Sequence, residues 1–427
     1  MSHRRSGRGE RLPSRHAFHG ACGWPASVAT PPEWLQDRVD APRHKGVPEE
    51  IQDAVREHFS PYEAHEDRPI GTYFVHEEKG EIEDRFDAVL AQAETHGYAA
   101  SIREEGGERI LNVFPQPRSP DRREWVNWAL FLATWVTTTL AGALAVFGYQ
   151  NPGFCYECYG AQSALLPLTG TSFLLGGLLQ FALPLMLILG VHESGHYLAG
   201  RKHGLTPSFP YFIPLPPIFA VNIGTLGAFI SLREPIPSKK ALFDIGASGP
   251  LAGLVVAIPT VLLGGFLMSQ DPVTTAGAGG TVMLGTPLLY DALAWPFAIP
   301  GDAIIHPVAM AGWVGLLVTG INLIPSGQLD GGHVASALLD EHARTLSYVA
   351  LGGLILLGLG IPPFSPDQWI TGYGGWLVFA ILILFIGAKH PPTLNSVTPL
   401  DKKRSILAIA TLLLIVITFI PTPISGL

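Results

Sequence analysis

The chain has 427 residues, of which 48% are hydrophobic and only 15% are charged, whereas about 25% of the residues are charged in an average soluble domain. The formal net charge is −8 at pH 7. Acidic residues are concentrated in the N-terminal third, for example in the run Glu77–Asp84. Because nucleic-acid binding favours a basic surface, this composition argues against a nucleic-acid partner.

The N-terminal third predicts a tail followed by a small domain. Residues 1–45 show no apolar periodicity and predict a disordered tail, although a start rich in Arg and Ser and poor in acids is also typical of a transit peptide. Residues 46–118 predict a small α+β domain, without a metal or nucleophile pattern. The predicted helices are Pro48–Phe59 and Glu81–His96, and the predicted strands are Gly71–His76, Tyr98–Arg103 and Arg109–Phe114.

Residues 122–427 predict a transmembrane domain, so the expected fold class is a mostly α, polytopic helical bundle of about six to eight spans. The candidate spans are Trp125–Phe147, Thr171–Leu198, Phe243–Met268, Pro307–Pro325, Leu346–Ile361, Gly372–Ile386 and Ile406–Ile420. The segment Thr286–Ile299 predicts a further short or re-entrant element.

Basic residues at the span ends predict the orientation of this bundle. Loops 148–170, 269–306 and 362–368 contain no Lys or Arg, whereas the loops on the other side carry them repeatedly. The positive-inside rule therefore places the N-terminal domain in the cytoplasm. The second and fourth spans then both run inward, so their C-terminal ends lie at similar depth.

The second span contains the most informative residues of the chain. It is apolar up to His192, Glu193 and His196, although a charge near the bilayer centre costs about 2.5–3.5 kcal/mol on insertion scales. Residues four apart share one helix face, so His192 and His196 could hold one metal ion between them. Glu193 lies one step around the helix, close enough to act as general base on a metal-bound water. This pattern is the H-E-x-x-H arrangement of zinc hydrolases.

A catalytic zinc needs a third protein ligand and one open position. Asp330, at the end of the fourth span, fits this role, and we expect one Zn²⁺ per chain. Pro325 would break the helix and free the backbone, so that Asp330 can turn toward the metal. Asn322 could donate a hydrogen bond to the oxyanion of the reaction. The alternatives are a helix-capping role for Asp330 and a structural interhelical bond for Asn322.

Together these motifs resemble those of the site-two protease family, the peptidase M50-like intramembrane zinc metalloproteases. The H-E-x-x-H motif is present at 192–196, and the family's N-x-x-P-x-x-x-L-D-G motif is present at 322–331. Their order and spacing are most similar to the branch of the plant chloroplast egy-type proteases and their bacterial and archaeal relatives. The resemblance covers roughly residues 125–420.

The resemblance implies zinc, an active site near the cytosol and a transmembrane protein as substrate within the lipid bilayer. Residues 246–253 resemble the glycine-rich third-span element of the family, where we expect close helix packing. Residues 222–228 resemble its membrane-dipping strand segment, so Asn222, Gly224 and Gly227 are expected to contact the substrate. A strand edge in this region could bind the unwound substrate by β-augmentation.

Two other functions stay open at this point. A membrane-anchored zinc protease with a soluble-facing site usually takes a Glu ligand from a downstream soluble helix, and the L-D-G motif in a span argues against it. A non-catalytic metal-binding membrane protein or a transporter is the second alternative. The expected location is the cell membrane of a prokaryote such as an archaeon, with a plastid membrane as the alternative. Cys155 and Cys158 predict a disulfide, a redox pair or two ordinary thiols.

Overall fold

A computed structural model of the chain describes residues 46–66, 70–76, 82–116, 123–152, 170–216, 223–232, 234–274, 283–360, 372–386 and 391–425. The predicted tail, the pair Cys155 and Cys158, and Asn222 lie outside the described residues. The predictions made for them therefore stay predictions.

The N-terminal unit packs two helices against a four-stranded antiparallel sheet. Its elements are α1 (Glu49–Phe59), β1 (Glu63–His65), β2 (Gly71–Val75), α2 (Ile82–Thr95), β3 (Tyr98–Glu105) and β4 (Glu108–Pro115). The sheet order is β1-β2-β4-β3. Both predicted helices and all three predicted strands are confirmed. The sequence did not predict β1, because its three residues are all exposed and offer no apolar alternation.

Two glycines form the turn between β3 and β4. The strands pair in continuous register from Tyr98 with Pro115 to Glu105 with Glu108. Gly106 and Gly107 have φ values of 61° and 84°. A two-residue hairpin turn with positive φ at both central positions matches the twist of the flanking strands, and glycine adopts it without steric cost.

The rest of the chain is mostly helical. Its elements are α3 (Glu124–Gln150), α4 (Thr171–Lys202), β5 (Tyr211–Pro214), β6 (Thr225–Phe229), α5 (Lys239–Gln270), β7 (Met283–Leu284), α6 (Leu288–Ala294), α7 (Pro307–Asn322), α8 (Asp330–Leu339), α9 (His342–Leu359), α10 (Gly375–Ile386), α11 (Lys402–Thr418) and β8 (Ile424–Ser425). Strands β5 and β6 form an antiparallel hairpin, and β7 pairs with β8.

Four helices in the described part of the chain are long and apolar enough to cross a membrane, namely α3, α4, α5 and α9. The expected count of six to eight spans is therefore not confirmed. Hydropathy locates apolar segments but does not fix helix length: α7 and α10 are apolar yet shorter than 18 residues. Helix α7 ends at Asn322, before the predicted boundary at Pro325. The predicted segment Thr286–Ile299 contains only α6 and a short 3₁₀ turn.

Helix α5 lies at the centre of the helical part. It packs against α4, α7 and α8. A core between α4, α5 and α7 includes Phe181, Ile188 and Trp313, all of them almost fully buried. In lipid, such packing rather than hydrophobic burial holds helices together, and small residues allow the closest approach.

A segment between α10 and α11 joins the two parts of the molecule. We call residues 391–398 the bridging segment. Its residue Leu394 is buried in the core of the N-terminal unit. The Ile102 amide of β3 donates to the Leu394 carbonyl at 2.7 Å, and the Ser396 amide donates to the Ile102 carbonyl at 3.1 Å. On its other side the segment bonds to the residues before α5, where the Leu394 amide donates to the Ile236 carbonyl at 2.9 Å.

We expect Leu394→Ala to loosen this attachment. Truncating a buried leucine typically costs about 2–5 kcal/mol, and local opening would expose the amides of Ile102 and Ser396 to exchange. Hydrogen exchange measured by mass spectrometry should show faster exchange at both positions. The control is Leu407→Ala, because Leu407 is about half exposed. Equal exchange in the two variants would contradict the role given to Leu394.

Candidate metal centre

His192 and His196 lie on one face of α4, four residues apart. Both are buried, with 2% and 6% of their surface exposed. Their ring centroids are 5.0 Å apart. The helix therefore presents both imidazoles to the same point, as its periodicity predicts.

Asp330 reaches the same point from a distant part of the chain. It is the first residue of α8, after the backbone between Leu323 and Leu329 has left the helical conformation of α7. One carboxylate oxygen lies 3.2 Å from Nε2 of His192, and the other lies 3.3 Å from Nε2 of His196. The predicted convergence of the two motifs is thus present in the structure. The ligand atoms of all three residues lie within 4.8 Å of one another.

The three residues fit a zinc ion on two grounds. Two imidazoles and one carboxylate are a donor set found at catalytic zinc sites with an open fourth position. Ligands at about 2.0–2.2 Å from a tetrahedral zinc stand roughly 3.3–3.5 Å apart. The observed distances of 3.2 and 3.3 Å between the carboxylate oxygens and the imidazole nitrogens are close to that separation. This group could therefore hold one metal ion.

A hydrogen bond outside the ligand set orients His196. Its Nδ1 lies 2.7 Å from the backbone carbonyl of Ile245 on α5. A carbonyl only accepts, so Nδ1 carries the hydrogen, and in the neutral ring Nε2 keeps its lone pair for a metal. Metal-binding histidines commonly have such a partner. The sequence contained no signal for Ile245, because a backbone carbonyl has no residue-type signature.

Glu193 is buried beside the ligands, with 3% of its surface exposed. Its Oε2 atom has no hydrogen-bond partner among the described residues, and the backbone amide of Ile230 lies near its carboxylate. An unpartnered carboxylate oxygen in an apolar interior is costly unless a ligand or water satisfies it. Asn322 is also close, with its Nδ2 3.4 Å from Nε2 of His192.

Glycines on α5 make room for the imidazoles. A Cβ atom on Gly249 would lie 2.1 Å from Nε2 of His196, and one on Gly253 would lie 3.1 Å from Nδ1 of His192. On the opposing helix, a Cβ on Gly195 would lie 2.5 Å from the Ser248 carbonyl oxygen. The expectation that the glycines of 246–253 serve close packing is therefore confirmed. The structure adds that part of this packing is directly against the ligands.

The hairpin of β5 and β6 lies between α3 and the site. Helix α3 holds one side of it, since Asn127 donates to the Phe209 carbonyl at 2.7 Å and Thr137 donates to the Gly224 carbonyl at 2.6 Å. Gly224 has a φ of 78° and touches the α3 backbone, whereas a Cβ on Gly227 would meet open space. Strand β6 and the residue after it face α4.

Two further histidines lie near the site without joining the ligand group. His333 places Nδ1 2.9 Å from the Leu329 carbonyl within the first turn of α8. His203, at the end of α4, pairs with Asp244 at 2.9 Å, and Asp244 also pairs with Arg404 of α11. This network ties the ends of three helices together, and the sequence gave no indication of it.

Comparison with known proteins defines the class of this domain. Residues 180–359 match the model of peptidase family M50. The chain thus carries an M50 domain, the domain of the site-two protease family, and the predicted resemblance is confirmed. The matched range contains both motifs that converge at the metal centre.

The relatives are plant proteins of the EGY group. The chain is 30% identical over 301 residues to a probable zinc metalloprotease EGY2, chloroplastic, of Arabidopsis thaliana, an alignment that covers 68% of this chain and 49% of the relative. It is 31% identical over 242 residues to a probable zinc metalloprotease EGY1, chloroplastic, of Oryza sativa subsp. japonica, covering 54% of this chain and 38% of the relative. The chain spans about half or less of the length of these curated relatives. No solved structure matches.

These findings support a multi-pass membrane protein and a homologue of zinc metalloproteases. They do not support the expected prokaryotic cell membrane, since the relatives named above are chloroplastic. Sequence composition carries no physical signal that separates one membrane from another, so the type of membrane could not be derived from the residues.

Metal content tests the ligand group directly. We expect about one zinc per chain in the detergent-purified protein, and a sharp loss in both His192→Ala and Asp330→Ala, because each removes one of three ligands. Plasma mass spectrometry of the metal measures this. His203→Ala is the matched control, since it removes an imidazole on the same helix that pairs with Asp244. Full zinc retention in Asp330→Ala would remove Asp330 from the ligand set.

The glycine contact makes a separate prediction. We expect Gly249→Ala to displace His196 and weaken zinc binding by about 10- to 100-fold, the range found when groups supporting a ligand are disturbed. Gly190→Ala on α4 is the control, because a Cβ there meets nothing within 4 Å. Competition with a chelator measures both. If Gly249→Ala holds zinc as tightly as Gly190→Ala, the contact with His196 has no influence on the ligand.

Proposed function

We propose that this protein is a zinc-dependent intramembrane endopeptidase that hydrolyses peptide bonds within or near transmembrane segments of membrane proteins. One observation carries the proposal: His192, His196 and Asp330 converge beside the buried Glu193, on helices of which α4 is long and apolar enough to span a membrane. The M50 domain and the names of the relatives support the chemistry. The apolar surroundings of the ligands support a substrate that is itself embedded in lipid.

Glu193 is the proposed general base. A bound zinc would supply Lewis-acid polarisation of water and of the peptide carbonyl. Glu193 is next to a ligand on the helix but is not part of the ligand group, and its Oε2 has no partner among the described residues. It is therefore placed to take a proton from the attacking water and to deliver it to the leaving amine.

Asn322 is the proposed donor to the negative oxygen that develops on the scissile carbonyl. Its amide nitrogen lies 3.4 Å from Nε2 of His192, at the edge of the ligand group. It is the last residue of α7, where regular helical structure ends. A fixed donor at this point needs no reorganisation during the reaction, which is the condition under which such a group contributes most.

Strand β6 is the proposed docking edge for the unwound substrate. Strand β5 occupies one of its edges, and α3 packs against β5 and donates through Asn127 to the carbonyl of Phe209, two residues before that strand. The backbone amide of Ile230, one residue past β6, lies near Glu193. A substrate strand added to β6 would thus run close to the base, and main-chain hydrogen bonds would hold it irrespective of its side chains. We propose that Gly227 lies along this path and that Asn222, which is outside the described residues, also contacts the substrate.

The proposed partners are a transmembrane protein and the lipid bilayer. Basic residues near the span ends support a site on the cytosolic or stromal side of the membrane, where the N-terminal unit also lies. The purpose of cleavage would be the regulated release of a membrane-bound regulator or the removal of membrane fragments.

Cleavage of a model substrate tests the base. The full-length protein in proteoliposomes is given a tagged single-span protein, and the products are identified by mass. We expect Glu193→Gln to lower the cleavage rate by about 100- to 10,000-fold, the usual contribution of general acid–base catalysis, while zinc content stays at the wild-type level. The control is Ser194→Ala, because Ser194 is exposed and its hydroxyl donates to the Gly190 carbonyl of its own helix.

Two outcomes would contradict the proposal in different ways. Wild-type protein that holds zinc but cleaves none of the membrane substrates would favour a non-catalytic metal-binding protein. A Glu193→Gln variant that cleaves as fast as wild type would leave the peptidase in place and remove Glu193 as its base.

A further inference from the structure

A small apolar cavity lies between α10 and the loop that leads to Asp330. Its volume is about 100 Å³. The walls are formed by Leu329 and the backbone around Gly327 on one side, and by Phe379, Leu382 and Ile383 of α10 on the other. Leu382 is about half exposed on the outer surface of the bundle. The cavity therefore lies between the surface that faces lipid and the loop that carries a proposed zinc ligand.

One polar group in this wall lacks a partner. Ser326 lines the cavity and is fully buried. Its backbone is satisfied, since its amide donates to the Ile324 carbonyl and its carbonyl accepts from the Leu329 amide. Its hydroxyl, however, has no hydrogen-bond partner among the described residues. Buried hydroxyls are normally paired, and one that is not calls for an explanation such as a ligand.

The loop that forms this wall is tightly packed. A Cβ on Gly332 would lie 2.4 Å from the Gly327 carbonyl oxygen, and a Cβ on Gly331 would lie 2.1 Å from the Leu323 carbonyl oxygen. The start of α8 is thus packed directly against the loop. Leu329, in the cavity wall, immediately precedes Asp330. The cavity is therefore separated from the metal centre by one short and closely packed stretch of backbone.

We propose that this cavity receives an aliphatic side chain of the substrate close to the cleaved bond, and that Ser326 donates its hydroxyl hydrogen to a backbone carbonyl of the unwound substrate. The proposal rests on the peptidase function proposed above and names a part of its substrate site. Leucine or isoleucine is the expected occupant. A dry cavity of about 150 Å³ accommodates benzene, so one of about 100 Å³ suits a branched four-carbon group.

A lipid chain is the other apolar occupant that could reach the cavity. It would leave the Ser326 hydroxyl unpaired, because an acyl chain offers no acceptor. An unwound peptide instead brings carbonyl groups that have lost their helical partners and that need donors in an apolar medium. The unpartnered hydroxyl and the position next to Asp330 therefore favour the substrate.

The size of the pocket can be changed at its exposed wall. Leu382→Phe narrows it and Leu382→Ala widens it, while Leu384→Phe and Leu384→Ala are the matched controls, because Leu384 is a half-exposed residue of α10 outside the pocket wall. Full-length variants in proteoliposomes are given single-span substrates that carry Ala, Val, Leu or Phe at each position around the measured cut. The relative kcat/KM within each panel is the readout.

We expect one substrate position to respond. Leu382→Phe should lower kcat/KM for Leu relative to Ala at that position by roughly tenfold. One methylene group more or less in an apolar pocket typically changes kcat/KM by at least about that factor. Leu382→Ala should move the preference toward Phe, and the Leu384 variants should match wild type. If the relative kcat/KM values are the same in all variants, the proposed pocket is refuted, but the proposed peptidase function is not. A wild type that cleaves nothing refutes the proposed function instead.

A binding measurement keeps the test independent of turnover. The starting protein is the Glu193→Gln variant, in which the three native cysteines are replaced by Ser: Cys22, Cys155 and Cys158. Leu382→Cys is added to this protein, and the substrate carries a single cysteine near its cleavage site. Oxidative cross-linking at the responsive substrate position, and none with Leu384→Cys, supports the proposal. A thiol reagent can also be used to probe the Leu382→Cys variant. If protection of this cysteine depends on the lipid content and not on the substrate, the cavity binds lipid and the proposal is refuted.

Ser326 has its own expected signature. Ser326→Ala removes a donor used only with substrate, so kcat/KM should fall by roughly threefold to tenfold for all members of the panel. The preference of the Ser326→Ala variant among substrate side chains of different size should be the same as that of wild type. The thermal stability of the substrate-free protein should not fall, because the hydroxyl has no hydrogen-bond partner among the described residues. A variant that is less stable but equally active would show that the hydroxyl serves the fold and not the substrate.

Discussion

The close approach of α4 and α5 is the constraint on which the site depends. The two helices meet where α5 has glycines, and the imidazole of His196 occupies the space that a side chain at Gly249 would fill. The same helix supplies the Ile245 carbonyl that orients the ring. Without a hydrophobic force between helices in lipid, van der Waals contact and hydrogen bonds hold such pairs together. The contact that joins the helices is therefore also the contact that positions a ligand.

The broken helix between α7 and α8 meets a second constraint, which is that polar backbone groups cannot be left unpaired in lipid. The chain satisfies part of the break internally, through the Ser326 and Leu329 amides and through Ser347, which donates to the Pro325 carbonyl at 3.2 Å. Gly331 and Gly332 then let α8 start against the loop itself. This arrangement turns Asp330 toward α4 over a distance of 138 residues in sequence.

The histidine pair could be predicted from the sequence because local helix periodicity determines it, whereas Asp330, 138 residues from His192, was predicted from the similar depth of a second motif. His192 and His196 share a helix face, and both motifs interrupt apolar segments where polar residues are rare. The Ile245 carbonyl, the pairing of Asp244 with His203 and Arg404, and the attachment of Leu394 could not be predicted. Each depends on residues far apart in sequence or on backbone atoms, which leave no pattern. The expected number of spans was not confirmed, because hydropathy records composition, whereas helix length depends on where the backbone breaks.

The start of α5 connects the N-terminal unit to the site. Lys240 pairs with Glu83 of that unit at 2.5 Å, whereas the neighbouring Lys239 turns the other way and pairs with Asp340 at the end of α8. Nine residues later, about 14 Å along the helix, Gly249 meets His196. One continuous helix thus contacts the N-terminal unit, the element that carries Asp330 and the helix that carries both histidines. A shift of α5 along its axis would move all three contacts together, so the N-terminal unit and the ligand group are supported by the same helix.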